Sequence, residues 1–298
     1  MNKKALLGSF LLLITATVWG VAFVAQSVGM DHLNAFAFNC IRNAIGVVVL
    51  LPVLAITQTR KPKSTATPSK LFTKELFIGG LICGVTLCIA SNFQQLGIEH
   101  STVGKSAFIT TLYIVLVPIL GLFFKKTVSF QVWISVVLAM IGLFLLCMKN
   151  EVFVLEIGDI YLILCAFFFT LQIMAVDYYV QKTDGVALSI MQFFVTAVIS
   201  GICMLFTEVP SWSDISAAAI PLLYAGAISC GVGYTLQIIA QKYVPATIAS
   251  IIMSLESVIA ALAGWVLLHE ILSPKELLGC TLVFAAVILT QLPLGKKS

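Results

Sequence analysis

Residues 103–124 read VGKSAFITTLYIVLVPILGLFF, 22 positions with one charge, Lys105, near the start and one proline, Pro118. A helix rises 1.5 Å per residue, so the stretch reaches about 33 Å, close to the thickness of a bilayer's hydrocarbon core. Outward from it lie nine more stretches of the same length and character. Together the ten cover about 6–28, 35–56, 76–96, 103–124, 130–148, 158–180, 187–207, 217–240, 246–268 and 276–294. The connectors mostly hold five to ten residues, which leaves no room for a soluble domain. The 298-residue chain is 60% hydrophobic and 10% charged, whereas soluble proteins carry charge on about a quarter of their residues. The class predicted is an all-α integral membrane protein with ten transmembrane helices, and whatever the protein does, it does in the membrane.

The charges orient the chain. Lys3, Lys4, Arg60, Lys61, Lys63, Lys70, Lys74, Lys125, Lys126, Lys182, Lys242, Lys296 and Lys297 fall on one side, Lys105, Lys149 and Lys275 on the other, and Arg42 within a span. Thirteen against three predicts a multi-pass protein of the cell membrane with both termini cytoplasmic. The net charge of +4 follows from this asymmetry and gives no reason to invoke nucleic acid. The stretch from Arg60 to Lys74 is the one long linker, rich in Lys, Thr, Ser and Pro. Lys3 and Lys4 with the apolar run after them imitate a signal peptide, but the run continues to Val28, longer than such a signal requires. The eight cysteines all lie within spans without a CxxC, and read as packing residues, neither disulfides nor metal ligands. No cofactor is expected. The partners expected are a small-molecule metabolite and membrane lipid, with a homodimer left open.

Sliding the chain over itself by 143 positions lays the fourth span on the ninth without a gap, so that Ile109 meets Ile252, Leu112 meets Leu255 and Gly121 meets Gly264. A shift of 150 lays the second span on the seventh, with Arg42 opposite Gln192. The chain therefore divides at 1–149 and 150–298 into halves of five spans each. An odd number forces the second copy to enter from the opposite face. Inverted repeats around a central cavity are a transporter signature, because two related halves can rock to expose one site to each side in turn.

Several motifs then resemble a known family. Trp19-Gly20 ends a small-residue stretch in the first span, and Phe38-Asn39-Cys40-Ile41-Arg42 opens the second. The fourth reads Lys105-Ser106-Ala107-Phe108-Ile109-Thr110-Thr111-Leu112-Tyr113 and continues through Pro118. The ninth reads Ser254-Leu255-Glu256-Ser257-Val258, then Gly264-Trp265 and His269-Glu270. In order and spacing these resemble the EamA-type repeats of the drug/metabolite transporter superfamily, over essentially the whole chain. The resemblance implies ten helices in a pseudo-symmetric bundle around a central cavity, peripheral fifth and tenth helices, and export of a small metabolite. Members of that family often carry Pro after the Glu of the ninth span. Here Ser257 stands there, which predicts a straighter ninth helix, while Pro118 predicts a kink in the fourth.

At 100° per residue, Ser106, Thr110 and Tyr113 share one face of the fourth span, and Thr111, Pro118 and Gly121 lie nearer the opposite, packing face. The equivalent faces of the ninth hold Ala249, Met253 and Glu256 for the cavity, and Ser250, Ser254, Ser257 and Gly264 for packing. The eighth span presents Tyr234, Gln237 and Gln241, with Ser91 and Gln94 as third-span counterparts. The first aligns Thr15, Trp19, Ala22 and Gln26; the second Asn39, Arg42 and Asn43; the seventh Gln192 and Thr196; the sixth Thr170 and Asp177. The fifth and tenth have few polar side chains at mid-span. Eight helices with a polar face and two without match a lined pathway with two outer helices. The plainer reading of these groups is that Ser and Thr bond their own backbone and Gln and Asn cross-link helices.

Charge within a span is costly, so Arg42 and Glu256 are expected to face a cavity or a partner. The guanidinium of Arg42 suits a substrate carboxylate, held by two parallel hydrogen bonds. Glu256, near mid-span, suits an ammonium group or proton exchange during the cycle; the alternative is that the two pair with each other and only hold the bundle. Asp177 and Lys105, near span ends, are expected to snorkel to water. The substrate-binding set predicted is thus Trp19, Asn39, Arg42, Ser91, Gln94, Thr110, Tyr113, Gln192, Tyr234, Gln237 and Glu256, with Glu256 also the proton-coupling candidate.

Other chemistries fail on spacing. Gly104-Lys105-Ser106 imitates the end of a phosphate-binding loop, but the required earlier glycine is Glu99; His269-Glu270 opens a zinc motif, but position 273 is Ser. The sequence therefore reads as a secondary transporter and not an enzyme. It would export a small polar or zwitterionic metabolite, an amino acid or related compound, by alternating access, with proton coupling as an option. An exchanger of sugar phosphates, nucleotide sugars or amphiphilic drugs is the same-fold alternative, and an intramembrane lipid-modifying enzyme the remote one.

Overall fold

A bilayer core offers backbone N–H and C=O groups no partners, so a chain this apolar must satisfy them within helices. The computed structural model does so; it describes residues 3–59, 71–101, 103–147, 156–207, 209–267 and 272–292. Ten helices among the described residues are long and apolar enough to cross a membrane. Span 1 is Lys3–Met30, span 2 Ala35–Thr59, span 3 Lys74–Glu99, span 5 Phe130–Cys147, span 6 Ile157–Tyr179, span 7 Gly185–Thr207 and span 10 Pro274–Gln291. Span 4 is two pieces, Val103–Thr110 and Tyr113–Phe123, and span 9 likewise, Ala246–Met253 and Leu255–Leu267. Span 8 runs from Ala219 to Gln241 and contains a π-helix, Tyr224–Tyr234. Most of the linker, residues 60–70, lies outside the described residues, as do Lys149, His269, Glu270, Lys296 and Lys297.

Helix starts follow local chemistry. Thr73 accepts a hydrogen bond from the Leu76 backbone N–H at the head of span 3. Ser273 and Glu276 close a reciprocal capping box on span 10, with Pro274 at the first helical position. Glu156 and Asp159 form the corresponding box on span 6. Lys125 takes a left-handed conformation, φ 58°, and stops span 4, with the Lys126 N–H returning to the Gly121 carbonyl.

Spans 3 and 6, 2 and 7, 3 and 7, and 1 and 9 pack along much of their lengths, and spans 5 and 10 pack on each other. The last pair crosses at glycine: a Cβ on Gly142 would lie 2.8 Å from the Gly279 carbonyl oxygen, and one on Gly279 2.6 Å from that of Gly142. Without a hydrophobic drive between helices in lipid, such close backbone approach is what holds them. The bundle has two ends. Lys126, Asp177 and Ala246 meet at the end where span 1 begins, the N-terminal face, and Lys105, Glu156 and Asp159 meet at the far face.

Three expectations are corrected here. Ser257 in place of proline does not keep span 9 continuous: it breaks at Ser254, whose hydroxyl bonds back to the Ile251 carbonyl, and the Ser257 N–H bonds the Ser254 carbonyl three residues back. Span 4 breaks at Thr111-Leu112, before Pro118. Lys105 does not snorkel; it is 6% exposed and pairs with Asp159 at 2.8 Å.

Candidate functional site

The two interrupted spans cross at their breaks. The offset of 143 carries Val103 onto Ala246 and Thr110 onto Met253, the bounds of the two leading half-helices. Just past each break stand Tyr113 and Glu256, at equivalent positions, and the Tyr113 hydroxyl donates to Glu256 Oε1 at 2.9 Å. Beside them the Thr111 and Ser257 hydroxyls lie 3.2 Å apart. Broken spans with polar groups at the break are how membrane transporters commonly place a site near the bilayer midplane.

Around this crossing lies a cavity of about 460 Å³, open space included. Span 1 contributes Trp19, Ala22, Phe23 and Gln26; span 2 Arg42; span 3 Gln94; span 4 Thr110 and Tyr113; span 6 Phe169, Gln172 and Ile173; span 8 Ser229, Tyr234 and Gln237; and span 9 Glu256. Trp19 packs against Tyr234 at 4.5 Å between ring centroids, and Phe193 meets the same tyrosine edge-on at 5.8 Å. Ser229 and Tyr234 come from the π-helix, a feature frequent at functional sites.

Arg42 and Glu256 are the charged side chains of this lining, 3% and 4% exposed. No ion pair joins them among the described residues. Arg42 donates from Nη1 to Gln26 Oε1 at 2.8 Å, lies over the Phe38 ring at 5.7 Å, and leaves Nε without a partner. Trp19 Nε1 and Gln237 Oε1 are likewise buried without partners. Glycines bring neighbouring backbones in beneath both charges. A Cβ on Gly20 would lie 2.7 Å from the Glu256 carbonyl oxygen, and one on Gly226 2.8 Å from that of Arg42. Cation donors, a carboxylate and free amide and indole groups in one enclosure can hold a small molecule bearing both charges.

Of the residues expected here, Trp19, Arg42, Gln94, Thr110, Tyr113, Tyr234, Gln237 and Glu256 line the cavity. Asn39, Ser91 and Gln192 do not. Asn39 donates to Asn92 Oδ1 at 3.0 Å, and Asn92 in turn to the Ser200 hydroxyl, a cross-link of spans 2, 3 and 7. The Ser91 hydroxyl bonds the Cys88 carbonyl of its own helix. Gln192 stands one layer out, accepting from Gln172 Nε2 at 3.2 Å, so span 7 backs the cavity without lining it. Gln172 is not among the expected residues: Thr170 and Asp177 lie on another face of span 6, but Gln172 is that span's amide and shares a face with Phe169 and Ile173. Thr170 bonds its own backbone, and Asp177 pairs with Lys126 and accepts from the Ala246 N–H at 3.1 Å. Among the described residues no group of His, Cys, Asp and Glu forms a metal site.

Comparison with known proteins gives the same picture. The model of the EamA-like transporter family matches the chain twice, at residues 6–148 and 156–292. An uncharacterized transporter of Archaeoglobus fulgidus is 28% identical over 290 residues, covering 97% of this chain and 87% of its own length. The uncharacterized transporter YdfC of Bacillus subtilis is 21% identical over 288 residues, covering 94% and 90%. A solved crystal structure superposes with a TM-score of 0.76 over 97% of this chain and 96% of its own, at 14% identity, a likeness of fold. Matched by the family's model over nearly its whole length, this multi-pass membrane protein belongs to the EamA-like transporter family.

Proposed function

We propose that the protein is a secondary transporter that exports a zwitterionic metabolite, an amino acid or close relative, from the cytoplasm by alternating access. The observation that carries this reading is the cavity's pair of opposite charges, Arg42 and Glu256, each held by neutral partners and not by the other. Unpaired buried charges are costly, and a ligand carrying both complements relieves the cost at both ends. A lining with one cation suits phosphorylated or nucleotide-linked sugars less well, since phosphates draw clusters of basic groups. Glu256, bonded to Tyr113 at the crossing of the two broken spans, is where proton exchange would be felt by both halves of the bundle. The twofold family match and the equivalent breaks support reading 1–149 and 150–298 as two repeats.

The test is uptake of a labelled amino-acid panel into proteoliposomes, with and without a pH gradient, for the wild type and Glu256→Gln. Saturable uptake that responds to the gradient, and loses that response in the variant, is the result expected. Gradient-indifferent uptake would remove the proton, and no amino-acid uptake by folded protein would remove the substrate. We also assign the N-terminal face to the cytoplasm, on the bias of thirteen basic residues against three. A green fluorescent protein fused to the C-terminus should fluoresce; a dark fusion that is nevertheless made and inserted would reverse the orientation.

A further inference from the structure

Four glutamines from three spans form a single network at the N-terminal side of the cavity. Gln241 Nε2 donates to the Ile173 carbonyl at 3.0 Å, and Gln237 Nε2 donates to Gln241 Oε1 at 3.0 Å. Gln237 Nε2 also reaches Gln172 Oε1 at 3.5 Å, and Gln172 Nε2 donates to Gln192 Oε1 at 3.2 Å. All four are at most 1% exposed. Only Gln172 and Gln237 touch the cavity; Gln192 and Gln241 stand behind them.

The network has a fixed polarity. A backbone carbonyl can only accept, so Ile173 requires the Gln241 amino group and turns the Gln241 oxygen toward Gln237. That oxygen in turn requires the Gln237 amino group. The oxygen of Gln237 is therefore left over, and it is a buried acceptor without a partner. Leaving such a group unsatisfied is costly, and a ligand donor can recover that cost.

Its place in the cavity matters as much. Gln237 is four residues, about 6 Å, from Gln241 at the end of span 8. Arg42 is seven residues from Ala35 at the opposite face, about 10 Å along span 2. Glu256 lies between these depths, ten residues or about 15 Å from Ala246. The charges thus lie in the far and middle thirds of the bundle, and the polar groups of the lining nearest the N-terminal face are the amides of Gln172 and Gln237, beside Ile173.

We infer that Gln172 and Gln237 form a neutral subsite that takes an uncharged hydrogen-bonding tail of the substrate, with Gln241 as the positioning residue that fixes its polarity and Gln192 as the acceptor behind Gln172. The substrate class is then a zwitterion with an amide- or hydroxyl-bearing side chain, in preference to one with an aliphatic or charged side chain. This rests on the zwitterion reading above and narrows it. A site built to hydrogen-bond a ligand group discriminates strongly against the analogue without it, because its own buried polar atoms stay unpaired.

Equilibrium dialysis of the purified full-length protein with labelled L-glutamine, L-glutamate and L-norleucine tests it, since norleucine has glutamine's reach without its amide. Glutamine should bind about tenfold or more tightly than either of the others. Gln237→Met should weaken glutamine about tenfold and change norleucine less than threefold, collapsing the preference. Gln241→Leu, which touches no ligand, should collapse it too, a change that mere loosening of the bundle would not confine to one ligand. Equal binding of glutamine and norleucine by the wild type would overturn the subsite and leave the zwitterion reading standing. A folded protein that binds none of the three would overturn both.

Discussion

Tyr113 and Glu256 are 143 residues apart, occupy equivalent positions in two broken spans, and are joined by a hydrogen bond of 2.9 Å. The bond ties span 4 to span 9 where both helices are interrupted and some backbone bonds shorten to three-residue steps, Ile114 N–H to the Thr111 carbonyl and Ser257 N–H to that of Ser254. Tyr113→Phe deletes the donor and leaves a buried carboxylate oxygen facing a ring edge, at a cost of about 1–3 kcal/mol. Tyr113→Phe with Glu256→Leu removes both partners, so its cost should fall well short of the two single costs added together. Thermal unfolding of the four proteins in mild detergent measures this, and strict additivity would mean that the bond does not couple the halves.

Arg42 should be irreplaceable by lysine. Its guanidinium is oriented by Gln26 and lies over Phe38, a planar arrangement that a lysine ammonium cannot copy. Arg42→Lys and Arg42→Ala should each weaken binding of carboxylate ligands by about tenfold or more, while Gln26→Leu, which only frees the guanidinium, should cost less. Dialysis with a labelled amino acid reads all three; full affinity in Arg42→Lys would show that charge alone suffices.

How much of this was readable follows from what hydropathy encodes. The ten spans were legible because a bilayer fixes helix length, and Arg42 and Glu256 because charge at mid-span needs a reason. The breaks were not. Thr111-Leu112 and Ser254 hold neither proline nor glycine, and Pro118, which does break the pattern, lies past the interruption. Nor was the π-helix, since the glycines of span 3 sit in an unbroken α-helix while those of span 8 do not. Periodicity showed which faces are polar but not what they meet. Asn39 and Gln192 turn theirs to other side chains, whereas Gln94 and Gln237 reach the cavity. Apolar lining such as Phe23, Phe169 and Ile173 carries no polar signal at all.

Spans 5 and 10 should tolerate no side chain where they cross. Gly142→Ala and Gly279→Ala each put a methyl carbon within 2.8 Å of a backbone oxygen on the partner helix, which has no flexible end to move. Each should destabilise the protein by about 1–3 kcal/mol, as overpacking of close-packed sites does. Thermal unfolding reads the cost. Gly121→Ala, whose added carbon would meet only the Lys126 Cβ, at 3.9 Å, is the control and should cost far less. Equal losses at all three would point to glycine itself and not to the crossing.

Span 4 and its following turn are tied to span 6 by an ion pair at each face, and the two pairs should differ sharply in worth. At the far face Lys105 meets Asp159 at 2.8 Å, with side chains 7% and 0% exposed. At the N-terminal face Lys126 meets Asp177 at 2.5 Å, but the lysine side chain is 49% exposed. Removing one partner of a buried pair strands the other charge, so Lys105→Met should cost about 3–5 kcal/mol. Lys105→Met with Asp159→Asn should recover much of that, because no bare charge remains. Lys126→Met should cost less than about 1 kcal/mol, since water screens the pair and Asp177 keeps its bond from the Ala246 N–H. Raising salt should shrink the small effect at Lys126 and leave that at Lys105 almost unchanged, because screening reaches only exposed charges. Thermal unfolding of the wild type and these three variants at two ionic strengths measures it, and equal losses at the two faces would mean that burial does not set the strength of these ties.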